Sequence, residues 1–158
     1  MKELYRNNNF MHLALLEAQK AYQKSEVPVG AVIVNNSTDE IIAKAHNQVE
    51  EFSNVLYHAE ISVIQQASKR LNKKYLTMCD LYITLEPCSM CCSAIAFSRI
   101  KRLFYGASDI KHGAVENNTR FFTTAACYHR PEVYNGISNN ISQQLLKRFF
   151  QGLRYTNK

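Results

Sequence analysis

The sequence predicts a layered α/β domain with a mixed sheet, and three observations lead there. Segments with helical periodicity alternate with short, β-branched apolar runs. Their order reads α-β-β-α-β-α-β and then α. Gly, Pro and Asn clusters punctuate the boundaries. With 158 residues and no repeat, low-complexity tract or linker, we expect one domain over residues 1–158, long enough to bury a substantial core.

Each element has its own signal. Between Phe10 and Lys24, Met11, Leu15, Ala18 and Tyr22 recur at steps of four and three, the stripe of an amphipathic helix that Pro28 and Gly30 then break. Ala31–Val34 is short, apolar and β-branched, so it reads as a buried strand. Asn35-Asn36-Ser37-Thr38-Asp39 is a turn, and Ile41–Ala45 returns as the hairpin partner. A second helix runs from His58 to about Leu71 with Ile61, Ile64 and Leu71 on one side. Leu81–Leu85 is a third strand, and Pro87 opens a helix carrying Ala94, Ile95 and Phe97. Arg102–Tyr105 is a fourth strand, closed by Gly106. The stretch 107–137 is the hardest to read; a short helix and one further strand are expected in it. The last helix sets Ile141, Leu145, Leu146, Phe149, Phe150 and Leu153 on one face.

Composition excludes several classes. Hydrophobic residues make up 46% and charged residues 20%, values of a globular rather than a disordered chain. No apolar run approaches the roughly 20 residues that span a membrane. Phe10–Ala18 carries His12 and Glu17 and lacks a small-residue cleavage site after it, so it does not read as a signal peptide. The expected location is the cytoplasm. The net charge of +6 is uneven: Lys147, Arg148, Arg154 and Lys158 fall in a tail without acids, and Arg99, Lys101 and Arg102, then Lys69, Arg70, Lys73 and Lys74, form further clusters. Each cluster alone is commonly a solvated surface, but together they favour a polyanionic partner.

The five cysteines (79, 88, 91, 92 and 127) are odd in number, and three crowd into five positions, which suits a metal or redox site better than a disulfide framework. Two motifs stand out: His58-Ala59-Glu60 and, thirty positions on, Pro87-Cys88-Ser89-Met90-Cys91. Each should open a helix, where the partial positive charge favours thiolates. Cys88 and Cys91 share one side of a turn, and one imidazole with two thiolates is a good zinc donor set. Cys92 competes for the second position, but its helical phase is poorer. Three ligands without a clear fourth describe a catalytic zinc, which keeps a place for water and makes it hydroxide near neutral pH. Glu60, two residues past the histidine, faces another side of the turn and is free to move protons. Alone, the histidine would be a surface residue and the C-x-x-C a redox or structural-zinc motif; together they are far more specific. Cys79 and Cys127 read as ordinary thiols, and His12, His46, His112 and His129 as structural residues.

H-x-E followed by P-C-x-x-C is the known signature of zinc deaminases acting on cytosine or adenine. Further segments appear in order: Glu26-Val27-Pro28-Val29-Gly30-Ala31-Val32, Ala45-His46-Asn47, Leu85-Glu86 before Pro87, Ser98-Arg99-Ile100, Tyr105-Gly106-Ala107, Asp109, Lys111, Gly113-Ala114, and the terminal Leu-Leu-Lys-Arg-Phe-Phe with Arg154. Across nearly its whole length the chain resembles the bacterial tRNA-specific adenosine deaminase family, within the cytidine and deoxycytidylate deaminase superfamily. The resemblance implies a three-layer α/β/α cytidine-deaminase-like sandwich, one Zn2+ per chain, a homodimer, and conversion of the wobble adenosine in a tRNA anticodon stem-loop to inosine. It implies that Asn47 hydrogen-bonds the target base, that Val29 packs on it, that the Ala59 N–H helps orient it, and that Asp109 lies in a loop approaching the RNA. The basic tail and the Arg99–Arg102 cluster would hold phosphates. For Asn47 a turn residue, and for Asp109 a cap or solvated acid, are the competing readings. Asn54-Val55-Leu56-Tyr57 departs from the family's Asp-Pro-Thr-Ala, and 113–128 match loosely. A small-molecule guanine or cytosine deaminase shares the zinc chemistry, and a non-catalytic zinc-containing RNA-binding module is the alternative of another class.

Overall fold

The computed structural model describes residues 1–156, with the backbone alone for Lys2 and for 154–156. The order is α1 (Lys2–Gln23), β1 (Gly30–Asn35), β2 (Ile41–His46), α2 (Ala59–Leu71), β3 (Cys79–Leu85), α3 (Ser89–Phe97), β4 (Arg102–Ala107), one 3-10 turn (Phe121–Thr123), β5 (Glu132–Tyr134) and α4 (Asn139–Thr156). The five strands lie in the order β2-β1-β3-β4-β5. β1 pairs antiparallel with β2 and with β3, while β3–β4 and β4–β5 are parallel, so the sheet is mixed as expected.

Strand alternation divides the core in two. Ala31, Ile33, Leu81, Ile83, Leu103 and Tyr105 face one side, where Ala59, Val63 and Ala67 of α2 and Cys92 and Ile95 of α3 cover them. Val32, Val34, Tyr82 and Phe104 face the other, under Phe10, Met11, Ala14 and Leu15 of α1. α4 packs on β4 beside α1. The result is the α/β/α sandwich. Gly30 permits the close seating of α1, because a Cβ there would lie 2.0 Å from the Ala14 carbonyl oxygen and 2.3 Å from the Ala18 nitrogen.

Three expectations shift. α1 begins eight residues before Phe10, because Arg6 and Asn7 in its polar first turns bond the Tyr82 hydroxyl (2.9 and 2.7 Å) and Arg6 reaches buried Asp80 (3.2 Å). α3 begins at Ser89, with Cys88 as N-cap, so Pro87 lies before the first turn and not in it. Of the apolar stripe on α4, Phe149 is buried and stacks edge-on against Tyr22, but Ile141, Phe150 and Leu153 remain exposed. The expected short helix and extra strand within 107–137 are both present. No helix among the described residues is long and apolar enough to cross a membrane.

Candidate metal centre

One end of the sheet, where β3 and β2 finish and β1 begins, gathers the chemistry. β3 runs into Glu86-Pro87 and then into α3, so its end delivers Cys88 as the α3 N-cap. His58 is the N-cap of α2, which packs on β1 and β2. Both caps have extended backbone (φ −65°, ψ 149° for His58; φ −75°, ψ 174° for Cys88), and both carbonyls accept the first bonds of their helices, from Ser62 (3.0 Å) and Cys92 (2.8 Å). The free first-turn amides of α2 and α3 therefore converge here, Ala59 fully buried among them.

His58 Nδ1 lies 3.8 Å from Cys88 Sγ and 3.5 Å from Cys91 Sγ, and the three ligand atoms fall within 4.8 Å of one another. Tetrahedral zinc with Zn–S near 2.3 Å and Zn–N near 2.05 Å requires N···S separations of about 3.6 Å. The residues therefore fit the ion in donor type and in spacing. No fourth His, Cys, Asp or Glu joins the group among the described residues. Cys92 is turned away: its thiol donates to the Pro87 carbonyl at 3.5 Å. Cys79 and Cys127 are buried outside the group.

The electrostatics already favour a cation. A hydrogen bond from Cys91, outweighing burial, together with the His58 ring, holds the Cys88 thiol down at about 4. Donating that hydrogen bond, and burial, push Cys91 up: the two sulfurs share one proton, which a bound cation would displace. The His58 imidazole is raised chiefly by its bond to Cys88. Glu60 is 4% exposed, and burial pushes its carboxyl up to about 7, against the pull of His58. The Cys91 thiol and the His58 ring both act on its charge, yet it does not join the ligand set.

Asn47 and Val29 sit where β2 ends and β1 begins, joined by the Asn47 N–H to Val29 O bond (3.0 Å). Gln48 N–H donates to Tyr57 O (3.0 Å), which brings Asn47 within a residue of the His58 segment. Asp109 lies across the site's other flank. Its Oδ1 accepts from the Lys111 and His112 amides (both 3.0 Å), so the side chain caps its own turn. Arg102 is not a free phosphate ligand: it grips Asp80 through Nε (2.9 Å) and Nη2 (2.5 Å). Arg99 stacks over Tyr75 at 4.1 Å. Lys147 and Arg148 are exposed on α4, whereas the Arg154 side chain and Lys158 lie outside the described residues. The four other histidines are structural or exposed: His46 pairs with Glu17 (3.2 Å), His129 bonds Ile100 O (2.7 Å), and His12 and His112 face solvent. Phe52, Val55 and Leu56 stand exposed in the loop before His58.

Two acids carry roles that sequence reasoning missed. Glu86, 2% exposed, accepts from the amides of Asp109, Val115, Glu116 and Asn117 and from Asn117 Nδ2, and so organises the loop beside the ligands. Glu26, 1% exposed, accepts from Asn47 Nδ2 and from the Glu50 and Glu51 amides. The available signal was an acid set directly against an apolar strand end, in Glu26-Val27-Pro28-Val29 and Leu85-Glu86-Pro87.

Comparison with known proteins agrees with this geometry. Residues 4–107 match the cytidine and deoxycytidylate deaminase zinc-binding region. The chain is 55% identical to the tRNA-specific adenosine deaminase of Rickettsia bellii over 144 residues, 91% of this chain and 99% of that one. A solved structure from studies of A-to-I editing by tRNA:A34 deaminases at the wobble position superposes with a TM-score of 0.85 at 48% identity, covering 87% of this chain and 99% of that one. Guanine deaminase from Nitrosomonas europaea shares the fold (TM-score 0.79) at 20% identity, over 90% and 83% of the two chains.

Proposed function

The chain belongs to the cytidine and deoxycytidylate deaminase family, and from that premise we propose that it is a zinc-dependent tRNA adenosine deaminase whose target is the wobble adenosine of an anticodon stem-loop. The observation that carries the catalytic reading is Glu60, a buried carboxyl against a three-donor set whose spacing fits zinc. A structural zinc site has no use for a carboxyl held there.

His58, Cys88 and Cys91 would hold one ion per chain, which supplies a Lewis acid and a water acidic enough to ionise near neutral pH. The anticodon loop is already unpaired, so turning one base into the site costs less than opening a duplex. Val29 packs against the adenine, and Asn47 with the Ala59 N–H orients it. Glu60 takes a proton from water and delivers it to ring N1 as the water oxygen bonds to C6. It then carries the second proton to the amine, the C6–N bond breaks, and ammonia leaves with inosine formed. Burial suits Glu60 to both transfers, because a carboxyl near 7 is a competent acid and base at neutral pH. The +6 charge and exposed Lys147 and Arg148 support a phosphate-rich substrate over a free base. Exposed Phe97, Ile141, Phe150 and Leu153 support a homodimer, and a tRNA substrate would place the enzyme in the cytoplasm.

The test is Glu60→Gln, which keeps size and polarity but removes the proton acceptor. Zinc content and tRNA affinity should stay near wild type, while single-turnover inosine formation falls by about a hundredfold or more. A fully metallated variant deaminating at the wild-type rate refutes the mechanism. Ammonia release from free guanine or cytosine, with none from the stem-loop, refutes the substrate.

A further inference from the structure

We propose that Glu26 is a positioning residue that fixes the flip of the Asn47 amide, so that Asn47 presents its carbonyl oxygen, and not its NH2, to the bound nucleoside. The proposal rests on the deaminase reading above.

A carboxylate as buried as Glu26, 1% exposed, is costly unless donors surround it. No Lys, Arg or His pairs with it among the described residues. Three N–H groups do: Glu51 N at 2.7 Å on one oxygen, Glu50 N at 3.2 Å and Asn47 Nδ2 at 3.1 Å on the other. The oxygen and the nitrogen of an asparagine amide are alike in size and shape, so shape alone does not orient the amide. Glu26 does, because its oxygens accept and cannot offer Asn47 a donor. Nδ2 must therefore face Glu26.

The backbone leaves no other freedom. The Asn47 N–H is bonded to Val29 O (3.0 Å), and the Gln48 N–H to Tyr57 O (3.0 Å) anchors the next residue beside His58. Asn47 is 6% exposed, yet its Oδ1 meets no donor among the described residues and is not sealed from solvent. A single oriented acceptor thus stands one residue from the bond that anchors the His58 segment, matched to an N–H or O–H of the nucleoside. The flipped amide would set a donor in the same place.

The experiment compares zinc-loaded wild type, Glu26→Gln, Asn47→Asp and the double variant on an anticodon stem-loop. Glu26→Gln offers its own NH2, which allows the Asn47 amide to flip. Asn47→Asp sets two carboxylates face to face. In the double variant the new amide at 26 donates to the new carboxylate at 47, and an oxygen again faces the nucleoside. Each single change should lower kcat/KM by roughly tenfold, about one hydrogen bond, mostly through KM, and the double variant should return to within about threefold of wild type. Glu26→Gln added to Asn47→Ala should cost no more than about twofold, since the residue it acts through is gone. This arm also stands if Asn47→Asp fails to fold. Additive losses, or Glu26→Gln alone within about twofold of wild type, overturn the proposal. Zinc-loaded wild type that forms no inosine overturns the deaminase reading and this proposal with it; active wild type with additive losses overturns this proposal alone.

Discussion

Glu86→Gln should loosen the loop that flanks the metal ligands. One carboxylate oxygen accepts from the amides of Val115 (3.1 Å), Glu116 (2.9 Å) and Asn117 (3.1 Å); the other accepts from Asp109 N (2.9 Å) and Asn117 Nδ2 (2.7 Å). Gln keeps an oxygen for the first three but sets an NH2 against the last two. Asn117 can turn its own amide to recover a bond; the Asp109 N–H cannot. A hydrogen bond to a charged group is worth about 1.5–3 kcal/mol, and an orphaned donor costs about 1–3 kcal/mol. Because the terms overlap, the loop should open more easily by about 2–4 kcal/mol, and amide exchange at Val115, Glu116 and Asn117 should speed up by roughly 30- to 1000-fold. Gly113→Ala reaches the same contact from the other side, since its Cβ would lie 2.4 Å from Glu86 Cδ and 2.5 Å from Asp109 O. Residue-resolved hydrogen exchange on zinc-loaded protein is the assay. Exchange within about twofold of wild type in both variants would refute the claim that this carboxylate holds the loop.

Cys88→Ala and Cys91→Ala should lose zinc, and Cys92→Ala should keep it, because only Cys92 faces the Pro87 carbonyl; metal analysis of the three variants decides the register. After chelation, Cys88, held at about 4, should alkylate first at neutral pH, ahead of Cys79, which burial pushes to about 11. Charge reversal at Lys147 and Arg148 should weaken tRNA binding and flatten its log–log salt dependence by roughly one to two units; an unchanged salt slope would mark them as a solvated helix face. Burial would raise the Glu17 carboxyl, but hydrogen bonds from Lys20 (2.6 Å) and His46 (3.2 Å) win and hold it below its ordinary 4.5. A lowered folded value means stability present above pH 4.5 and lost as pH falls through the folded value, so Glu17→Gln should lower stability at neutral pH and flatten the acid arm of a denaturation series. Light scattering should give a dimer at micromolar concentration, and a monomer would leave the exposed α4 face without that explanation.

Much of this protein was legible in its residues. Periodicity set the order of helices and strands, because burial on one face writes a period of 3.6 or 2 into the chain. His58, Glu60, Cys88 and Cys91 were legible because metal chemistry restricts residue type and helical phase restricts spacing, both local properties. Helix phase also chose Cys91 over Cys92, and the thiol of Cys92 on the Pro87 carbonyl agrees.

What the sequence alone left open depends on partners far along the chain. The early start of α1 follows from Arg6 and Asn7 meeting Tyr82 and Asp80, more than 70 residues away. Arg102 looked like a phosphate ligand beside Lys101 until Asp80 claimed it across the β3–β4 pair. Glu26 and Glu86 were given no role of their own, since an acid beside an apolar strand end does not say which backbone amides, 23 to 31 residues onward, it will collect. Sequence determined which residues can do the chemistry, because that is a matter of atoms; the tertiary structure decided which way Asn47 turns and what holds the neighbouring loop, because hydrogen-bond direction is fixed only when distant donors and acceptors are brought within 3 Å or so of each other.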